Sequence, residues 1–84
     1  MAKVVMYSSK TCTYCFAAEK LLHSKGVKDI EKIMTDIDAN RDEMVQRTGR
    51  RTVPQIFIDD KHVGGYDDLQ ALNTSGQLDS LLSA

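Results

Sequence analysis

The sequence has few of the features that cross-link a chain or place it in a membrane. Only two of its 84 residues are cysteines, and just two residues separate them. A disulfide between such close neighbours would close a tiny loop and add little stability to the fold. No apolar run approaches the roughly 20 residues that a membrane-spanning helix needs, and the opening MAKVVMYSS has no apolar stretch of signal-peptide length. We therefore expect a cytoplasmic protein without membrane association.

The sequence also lacks an excess of charge of either sign. Lysine and arginine together number 11, aspartate and glutamate number 12, and the net charge at pH 7 is -1. This balance creates no overall field that would hold nucleic acid or an anionic membrane surface, so we expect neither as a partner. The length suits one domain, which we expect to span residues 1–84.

The hydrophobic pattern predicts alternating strands and helices followed by a hairpin. We expect strands over residues 3–7, 30–37 and 55–58, a tight turn over 59–61, and a short strand around His62 and Val63. Helices are expected over 13–25, from a cap at Asp38 or Asn40 to Gly49, from a cap at Asp67 or Asp68 onwards, and near 78–82. The order β-α-β-α-β-β-α-α is typical of an α/β fold in which helices flank a four-stranded mixed sheet.

The motif Cys12-Thr13-Tyr14-Cys15 lies where the loop after the first strand enters the first helix. A cysteine at the start of a helix is close to unpaired backbone N–H groups and to the positive end of the helix dipole, which stabilise a thiolate. Lys10 adds a nearby positive charge. We therefore assign Cys12 as the nucleophile. Cys15 lies one turn further along, beside the apolar face of the helix, and is expected to be the resolving cysteine.

Two other interpretations of the cysteine pair are less favourable. Unrelated structural cysteines would not explain why a Cys-x-x-Cys pair lies at a strand-to-helix junction, which is the pattern of redox motifs. Half of a zinc site would need further ligands, but no second Cys-x-x-Cys follows, and His23 and His62 do not fall at ligand spacing. We expect no metal site, and we interpret His23 as a helix-surface residue and His62 as a hairpin residue.

Two further segments give the cysteine pair a context. Thr52-Val53-Pro54 precedes the third strand, and the sequence GGYDD over 64–68 precedes the third helix. Alone, the proline could belong to an ordinary turn and the aspartates could be helix caps. Together with the Cys-x-x-Cys pair, and in this order, they resemble the glutaredoxin family over nearly the whole chain. That family has a thioredoxin-like fold, which the resemblance therefore implies here.

The resemblance implies a glutathione site beside Cys12. In the family the proline of the T-V-P segment is cis, so Pro54 is expected to be cis and to face Cys12, leaving the Val53 backbone free to pair with the tripeptide. The implied contacts are Lys10 and Arg41 with the glycine carboxylate, Tyr14 beside the sulfur, Thr52 and Val53 with the cysteine, and Tyr66, Asp67 and Asp68 around the γ-glutamyl end. Pro54 and Gly65 complete the implied set.

The resemblance further implies a glutathione-dependent thiol–disulfide oxidoreductase that reduces protein disulfides and glutathione mixed disulfides. Its reductant is glutathione, and its partners are disulfide-containing or glutathionylated proteins, which for some family members include ribonucleotide reductase. We expect a monomer. Arg47, Arg50 and Arg51 could extend the positive side of the site, but runs of charge are usually solvated, and we interpret these three as surface residues.

Thr13 departs from the family, which more often has proline between the cysteines. Its N–H and hydroxyl, placed near the Cys12 sulfur, are expected to alter thiolate stability and reduction potential. The missing proline also leaves open a non-enzymatic alternative, a dimer that holds a [2Fe–2S] cluster through one Cys12 per chain and two glutathiones. A thioredoxin-like alternative is less favourable, because thioredoxins usually have tryptophan before the cysteine pair and this sequence has none.

Overall fold

Strands and helices follow one another in the predicted order. The computed structural model describes residues 2–83, so Met1 and Ala84 of the expected domain lie outside the described residues. The elements are β1 Val4–Ser8, α1 Thr13–Ser24, β2 Ile30–Met34, α2 Asp38–Thr48, β3 Gln55–Ile58, β4 Lys61–Gly64, α3 Tyr66–Ser75 and α4 Gln77–Leu82. None of the described helices is long and apolar enough to cross a bilayer.

The four strands form one mixed sheet in the order β2-β1-β3-β4. Strand β1 runs parallel to β2 and antiparallel to β3, and β4 returns antiparallel to β3. Parallel neighbours need a crossover connection, which α1 provides between β1 and β2. The predicted mixed sheet with flanking helices is therefore confirmed. The end of β1 and the start of β3 lie side by side near the centre of the sheet, where Tyr7 pairs with Gln55.

Each face of the sheet buries its own apolar cluster, because successive side chains along a strand point to opposite faces. Val4 and Met6 of β1 belong to the larger cluster, whose other buried members are Ala18, Leu22, Val27, Ile56, Ile58, Leu69 and Leu78. Tyr7 belongs to a smaller cluster on the opposite face, with Met44 and Phe57. An apolar cluster therefore packs against each face of the sheet, and the loop after β1 leaves the sheet between these two clusters.

The predicted start of α2 and end of β2 were wrong. Strand β2 ends at Met34 rather than at residue 37, because the chain turns there and the Ile37 N–H donates to the Met34 carbonyl across 3.3 Å. The N-cap of α2 is Ile37, which has no capping side chain, rather than Asp38 or Asn40. The Asn40 side chain instead donates to the Met34 carbonyl, across 3.0 Å. The predicted end at Gly49 is confirmed, in a left-handed conformation with φ of 71°.

The start of α3 also differs from the prediction. The N-cap is Gly65, and neither Asp67 nor Asp68 occupies that position. Asp68 instead lies at the third helical residue, where its carboxylate accepts a hydrogen bond of 2.9 Å from the Gly65 N–H. Asp68, which belongs to the helix itself, therefore bonds the amide of the N-cap glycine. The sequence predicted a carboxylate at the start of this helix, and the structure has one there, although not at the N-cap position.

The hairpin between β3 and β4 has the predicted tight turn at Asp59 and Asp60. Both residues have positive φ, 50° and 67° respectively. Two consecutive left-handed residues suit the right-handed twist of the flanking strands, and aspartate tolerates this conformation better than most residues. Lys61, which the sequence assigned to the turn, is the first residue of β4.

Candidate active site

The two cysteines occupy different positions at the start of α1. Cys12 is the N-cap, with φ of -92° and ψ of 108°, and Cys15 lies in the first turn. The Cys15 N–H donates to the Cys12 sulfur across 3.1 Å. The sulfur therefore takes the role that a serine or aspartate oxygen usually has at an N-cap, accepting a hydrogen bond from an amide of the first helical turn. Both cysteines are free.

The segment before β3 lies directly against the Cys12 sulfur. The Val53–Pro54 peptide bond is cis, as the resemblance implied. The Val53 carbonyl oxygen lies 3.6 Å from the Cys12 sulfur, close enough to accept the thiol proton. Pro54 is buried, whereas Cys12 is partly exposed, so an approaching disulfide has access to this sulfur from solvent.

Cys15 has a less accessible sulfur in a more apolar place. The residue is only 2% exposed. Burial is the main cause that raises the pKa of the Cys15 thiol to about 11, and its hydrogen bond with Cys12 raises this pKa further. The Ser8 hydroxyl and a backbone group of Ser9 oppose these effects but do not reverse them. At neutral pH Cys15 is therefore a protonated thiol, and only Cys12 is placed to attack first.

A groove of about 280 Å³ is lined in part by Val53, whose carbonyl oxygen lies 3.6 Å from the Cys12 sulfur. Its volume is close to the lower limit of about 300 Å³ for small-molecule pockets. It is lined by Tyr14, Arg50, Thr52, Val53, Pro54, Gln55, Gly65, Tyr66, Asp67 and Asp68. The fold therefore brings together residues from the start of α1, the segment before β3 and the start of α3, and these include most of the sequence-predicted glutathione contacts.

Lys10 and Arg41 are the two predicted contacts that do not line this groove. Lys10 is exposed in the loop after β1, where its backbone N–H donates to the Asp36 carboxylate across 3.1 Å. Arg41 is exposed in the first turns of α2, on the other side of that loop. The assignment of these two residues to a ligand carboxylate stays a prediction.

Arg50 and Gln55 line the groove, although the sequence analysis did not assign them to the site. Arg50 was interpreted as a solvated surface residue, but its guanidinium donates to the Asp68 carboxylate across 3.0 Å. Gln55 is fully buried at the start of β3, where its neighbours are apolar. A polar side chain in an otherwise apolar strand is a usable signal, since burying it is costly unless it is hydrogen-bonded. No comparable signal separated Arg50 from the other arginines.

One end of the groove offers both a carboxylate and unpaired N–H groups. The Gly65 N–H lowers the pKa of the Asp68 carboxyl most, and the Arg50 guanidinium lowers it further, so Asp68 is ionised at neutral pH. Within residues 2–83, the backbone N–H groups of Tyr66, Asp67 and Asp68 have no acceptor, as expected for a first helical turn. This end therefore complements a ligand that carries an ammonium and a carboxylate on neighbouring atoms.

Two aromatic rings line the groove. The centroids of Tyr14 and Tyr66 lie 6.0 Å apart, with the rings tilted by 32°. Tyr14 is 63% exposed and its neighbour on the helix, Phe16, is 60% exposed. Apolar side chains this exposed beside a reactive sulfur leave its surroundings open to a partner molecule.

Comparison with known proteins agrees with this geometry. A family model described as Glutaredoxin matches residues 4–63. The chain belongs to the glutaredoxin family. It is 54% identical to Glutaredoxin 3 of Escherichia coli strain K12, over 98% of this chain and 99% of that protein. It is 48% identical to a glutaredoxin of Pseudomonas aeruginosa over the full length of both chains.

The solved structures that resemble this glutaredoxin include the crystal structure of a buckwheat glutaredoxin–glutathione complex. That structure has a TM-score of 0.89 and 34% sequence identity, and covers 98% of this chain and 77% of its own. The thioredoxin-like fold is thereby confirmed. Family membership, together with the Cys12–Cys15 pair, supports a thiol oxidoreductase.

The cluster-binding alternative concerns a dimer. In the part of the chain that the structure describes, no three or more histidine, cysteine, aspartate or glutamate side chains lie together in a way that could hold a metal ion. A [2Fe–2S] cluster between two chains would instead use one Cys12 from each chain and two glutathiones. That hypothesis stays a prediction, as does the expected monomer.

Proposed function

We propose that this glutaredoxin is a glutathione-dependent oxidoreductase that reduces glutathione mixed disulfides and protein disulfides, with Cys12 as the nucleophile and Cys15 as the resolving cysteine. The observation that carries the proposal is the continuity of the site. The Val53 carbonyl lies 3.6 Å from the Cys12 sulfur, and the same residue lines the groove that ends at Asp68. A peptide bound along this groove would have its central sulfur beside Cys12.

The charges of the groove support glutathione as the peptide. Glutathione carries an ammonium and a carboxylate at its γ-glutamyl end and a second carboxylate at its glycine end. We assign the γ-glutamyl end to the start of α3, where the Asp68 carboxylate suits the ammonium and the free N–H groups suit the carboxylate. We assign the glycine carboxylate to Lys10, in the loop after β1, and to Arg41, in α2.

The first step transfers the glutathionyl group to the enzyme. The Cys12 thiolate attacks the glutathione sulfur of a mixed disulfide, the S–S bond breaks, and the substrate thiolate leaves and takes a proton from water. A disulfide between Cys12 and glutathione forms. The Cys15 N–H, 3.1 Å from the Cys12 sulfur, stabilises the attacking anion before this step and the leaving anion in the next.

The second step regenerates the enzyme. The thiolate of a second glutathione attacks the bound glutathione sulfur, releases the Cys12 thiolate and leaves as oxidised glutathione. One mixed disulfide is thereby reduced at the expense of one reduced glutathione, and the glutathionyl group that entered with the substrate becomes the other half of oxidised glutathione. Glutaredoxin potentials in general are about -200 to -230 mV, close to that of the glutathione pool, so electrons flow readily between them. We therefore propose the cytoplasm, which maintains reduced glutathione, as the place of action.

The reduction of protein disulfides requires Cys15 as well as Cys12. Attack by Cys12 on a protein disulfide gives a mixed disulfide with the substrate protein, and Cys15 then attacks the Cys12 sulfur and releases the reduced protein. The enzyme is left with a Cys12–Cys15 disulfide, which two glutathiones reduce. Because the Cys15 thiol is protonated at neutral pH, it must lose its proton before this attack. We propose disulfide-containing or glutathionylated proteins, including ribonucleotide reductase, as substrates.

A coupled assay tests the proposal. The purified protein is mixed with glutathione, glutathione reductase and NADPH, and a small glutathione mixed disulfide is added as substrate. We expect NADPH oxidation that depends on this protein and saturates with the mixed disulfide. A parallel reaction replaces the glutathione system with thioredoxin reductase and NADPH. Turnover only in the parallel reaction would overturn the glutathione dependence and favour the thioredoxin-like alternative.

A further inference from the structure

The pair formed by buried Gln55 and half-buried His62 is not needed by any step described above, although it contacts the active-site segment. His62 was interpreted from the sequence as an ordinary hairpin residue. In the structure, its ring nitrogen Nε2 lies 2.8 Å from the Gln55 side-chain oxygen. The Gln55 side-chain nitrogen in turn lies 3.0 Å from the Thr52 carbonyl oxygen and 3.4 Å from its hydroxyl. A chain of hydrogen bonds thus joins β4 to the segment before β3.

The direction of each bond follows from its partners. The Thr52 carbonyl only accepts, so the Gln55 amide must present its NH₂ group to Thr52 and its oxygen to His62. His62 must then donate from Nε2. Burial lowers the pKa of His62 and Arg50 lowers it further, although Asp68 opposes them, so the ring is neutral at pH 7 with its proton on Nε2. The bond to Gln55 does not require a charged ring.

This chain of hydrogen bonds acts on the peptide unit between Thr52 and Val53. The unit is trans, because the cis bond in this segment is the one after Val53. In a planar trans peptide the C=O and the N–H point in opposite directions. Because Gln55 bonds the Thr52 carbonyl and holds it towards the protein interior, the Val53 N–H must point away from the interior. Within residues 2–83 that N–H donates to no acceptor.

We infer that Gln55 and His62 are positioning residues that hold the Thr52–Val53 peptide unit with its Val53 N–H free for a bound peptide backbone. This inference rests on the proposed function, because it concerns how the groove receives the cysteinyl residue of glutathione. Gln55 acts directly on Thr52. His62 acts through Gln55, since without its donor the amide is free to rotate by 180° and turn its oxygen towards the Thr52 carbonyl.

The surroundings of His62 explain why it is held firmly enough for this role. Its ring packs against Phe57 with centroids 5.0 Å apart and an angle of 33°. Phe57 is buried, and the Arg47 guanidinium lies 4.1 Å from the centre of its ring. Arg47 also donates to the Tyr7 hydroxyl across 2.8 Å. The imidazole therefore packs against an ordered layer of side chains on this face of the sheet, and this packing restricts it to few rotamers.

Four variants separate positioning from general stability. Gln55→Met removes all three side-chain hydrogen bonds of Gln55 at nearly constant size, and His62→Phe keeps the contact with Phe57 but removes the donor. His62→Gln restores a donor at a similar reach. The matched control is His23→Phe, because His23 also has a ring nitrogen bonded to an acceptor, the Val27 carbonyl at 2.8 Å, with its other ring nitrogen 3.6 Å from the Glu19 carboxylate, but lies at the far end of α1.

The kinetic readout is the split between KM and kcat in the coupled assay. For Gln55→Met and His62→Phe we expect the KM for the mixed disulfide to rise about three- to tenfold, the effect of one hydrogen bond, while kcat changes less than about twofold. His62→Gln should restore most of the wild-type KM, and His23→Phe should leave it unchanged. An equal rise of KM in His23→Phe, or no rise in Gln55→Met, would overturn the inference.

A second readout does not depend on glutathione. In ¹⁵N relaxation of the free protein, the Val53 amide should have an order parameter near 0.85 in the wild type and fall towards about 0.6 in Gln55→Met and His62→Phe. The amides of β3 should stay rigid in all variants. If the wild type does not turn over the mixed disulfide, the proposed function fails and this readout still tests the positioning. An unchanged Val53 order parameter in both variants would overturn the positioning itself.

Discussion

The backbone N–H of Cys15 donates to the sulfur of Cys12 across 3.1 Å, so the backbone of one cysteine bonds the sulfur of the other. The reverse does not hold. The sulfur of Cys15 is buried, and burial together with the Cys12 hydrogen bond raises the pKa of its thiol to about 11. The pair is therefore asymmetric before any substrate binds, and several measurable consequences follow from this asymmetry.

The two cysteines should respond differently to substitution by serine. Cys12→Ser is expected to lower turnover of a glutathione mixed disulfide by at least about 10³-fold, because no nucleophilic sulfur then faces the groove. Cys15→Ser should keep about half of the activity or more, since glutathione itself resolves the intermediate. The coupled assay measures both, and circular dichroism checks that both variants fold. Equal losses in the two variants would contradict the assigned roles.

Alkylation of the thiols should proceed in two separate pH ranges. Iodoacetamide reacts with the thiolate, so at pH 7–8 we expect modification at Cys12 alone, as read from peptide masses. Cys15 should become reactive only as the pH approaches its raised pKa of about 11, while the protein stays folded. The urea-unfolded chain is the control, because both cysteines should then react alike. Early modification of Cys15 in the folded protein would show that its thiol is not buried in solution.

The stability contributed by Asp68 should depend on pH in a defined direction. The pKa of this carboxyl lies below its usual 3.8, first because of the Gly65 N–H and then because of Arg50. The folded state therefore releases the proton more readily than the unfolded chain, and the stabilisation is complete above pH 3.8 and lost as pH falls through the folded-state pKa. The side chain is 45% exposed, so the effect is at most about 1 kcal/mol.

Asp68→Asn checks this direction. The free energy of unfolding of the variant should lie below that of the wild type at pH 6–7, and the difference should shrink as the pH falls below 3.8. Urea titrations at several pH values measure it. Arg50→Gln is the matched control, since it removes the guanidinium but keeps the carboxylate and its bond to Gly65. A difference that grows in acid would contradict the assignment.

Gly64 should be far less replaceable than other glycines with positive φ. Its φ is 116°, and a Cβ built there would lie 2.3 Å from the Asp68 carboxylate oxygen. We expect Gly64→Ala to lower the free energy of unfolding by about 2–3 kcal/mol, because the strained backbone adds to the clash. Gly49→Ala is the control, with φ of 71° and open space around the added atom, and should cost about 1 kcal/mol. Similar losses in both variants would show that Asp68 moves aside freely.

Much of the fold was predictable because local pattern and fold agree here. The β-prone run before Cys12, the helical spacing after it and the glycine at 49 each predicted an element that the structure confirms. The errors occurred at helix starts, at the end of β2 and at Lys61. Ile37 and Gly65 are the N-caps, although aspartates stood nearby. The Ile37 N–H donates to the Met34 carbonyl and the Gly65 N–H to the Asp68 carboxylate, so the chain is held at each helix start without an aspartate at the N-cap.

The sequence by itself determined the family and predicted which cysteine is the nucleophile and which resolves, because the Cys-x-x-Cys pair, the T-V-P segment and the GGYDD segment are local signals whose order along the chain carries the information. Only the tertiary structure decided that Arg50 meets Asp68, that Gln55 holds Thr52 and that His62 holds Gln55. These contacts depend on the register between β3 and β4 and on where α3 starts. Such long-range packing leaves no periodic trace in the sequence.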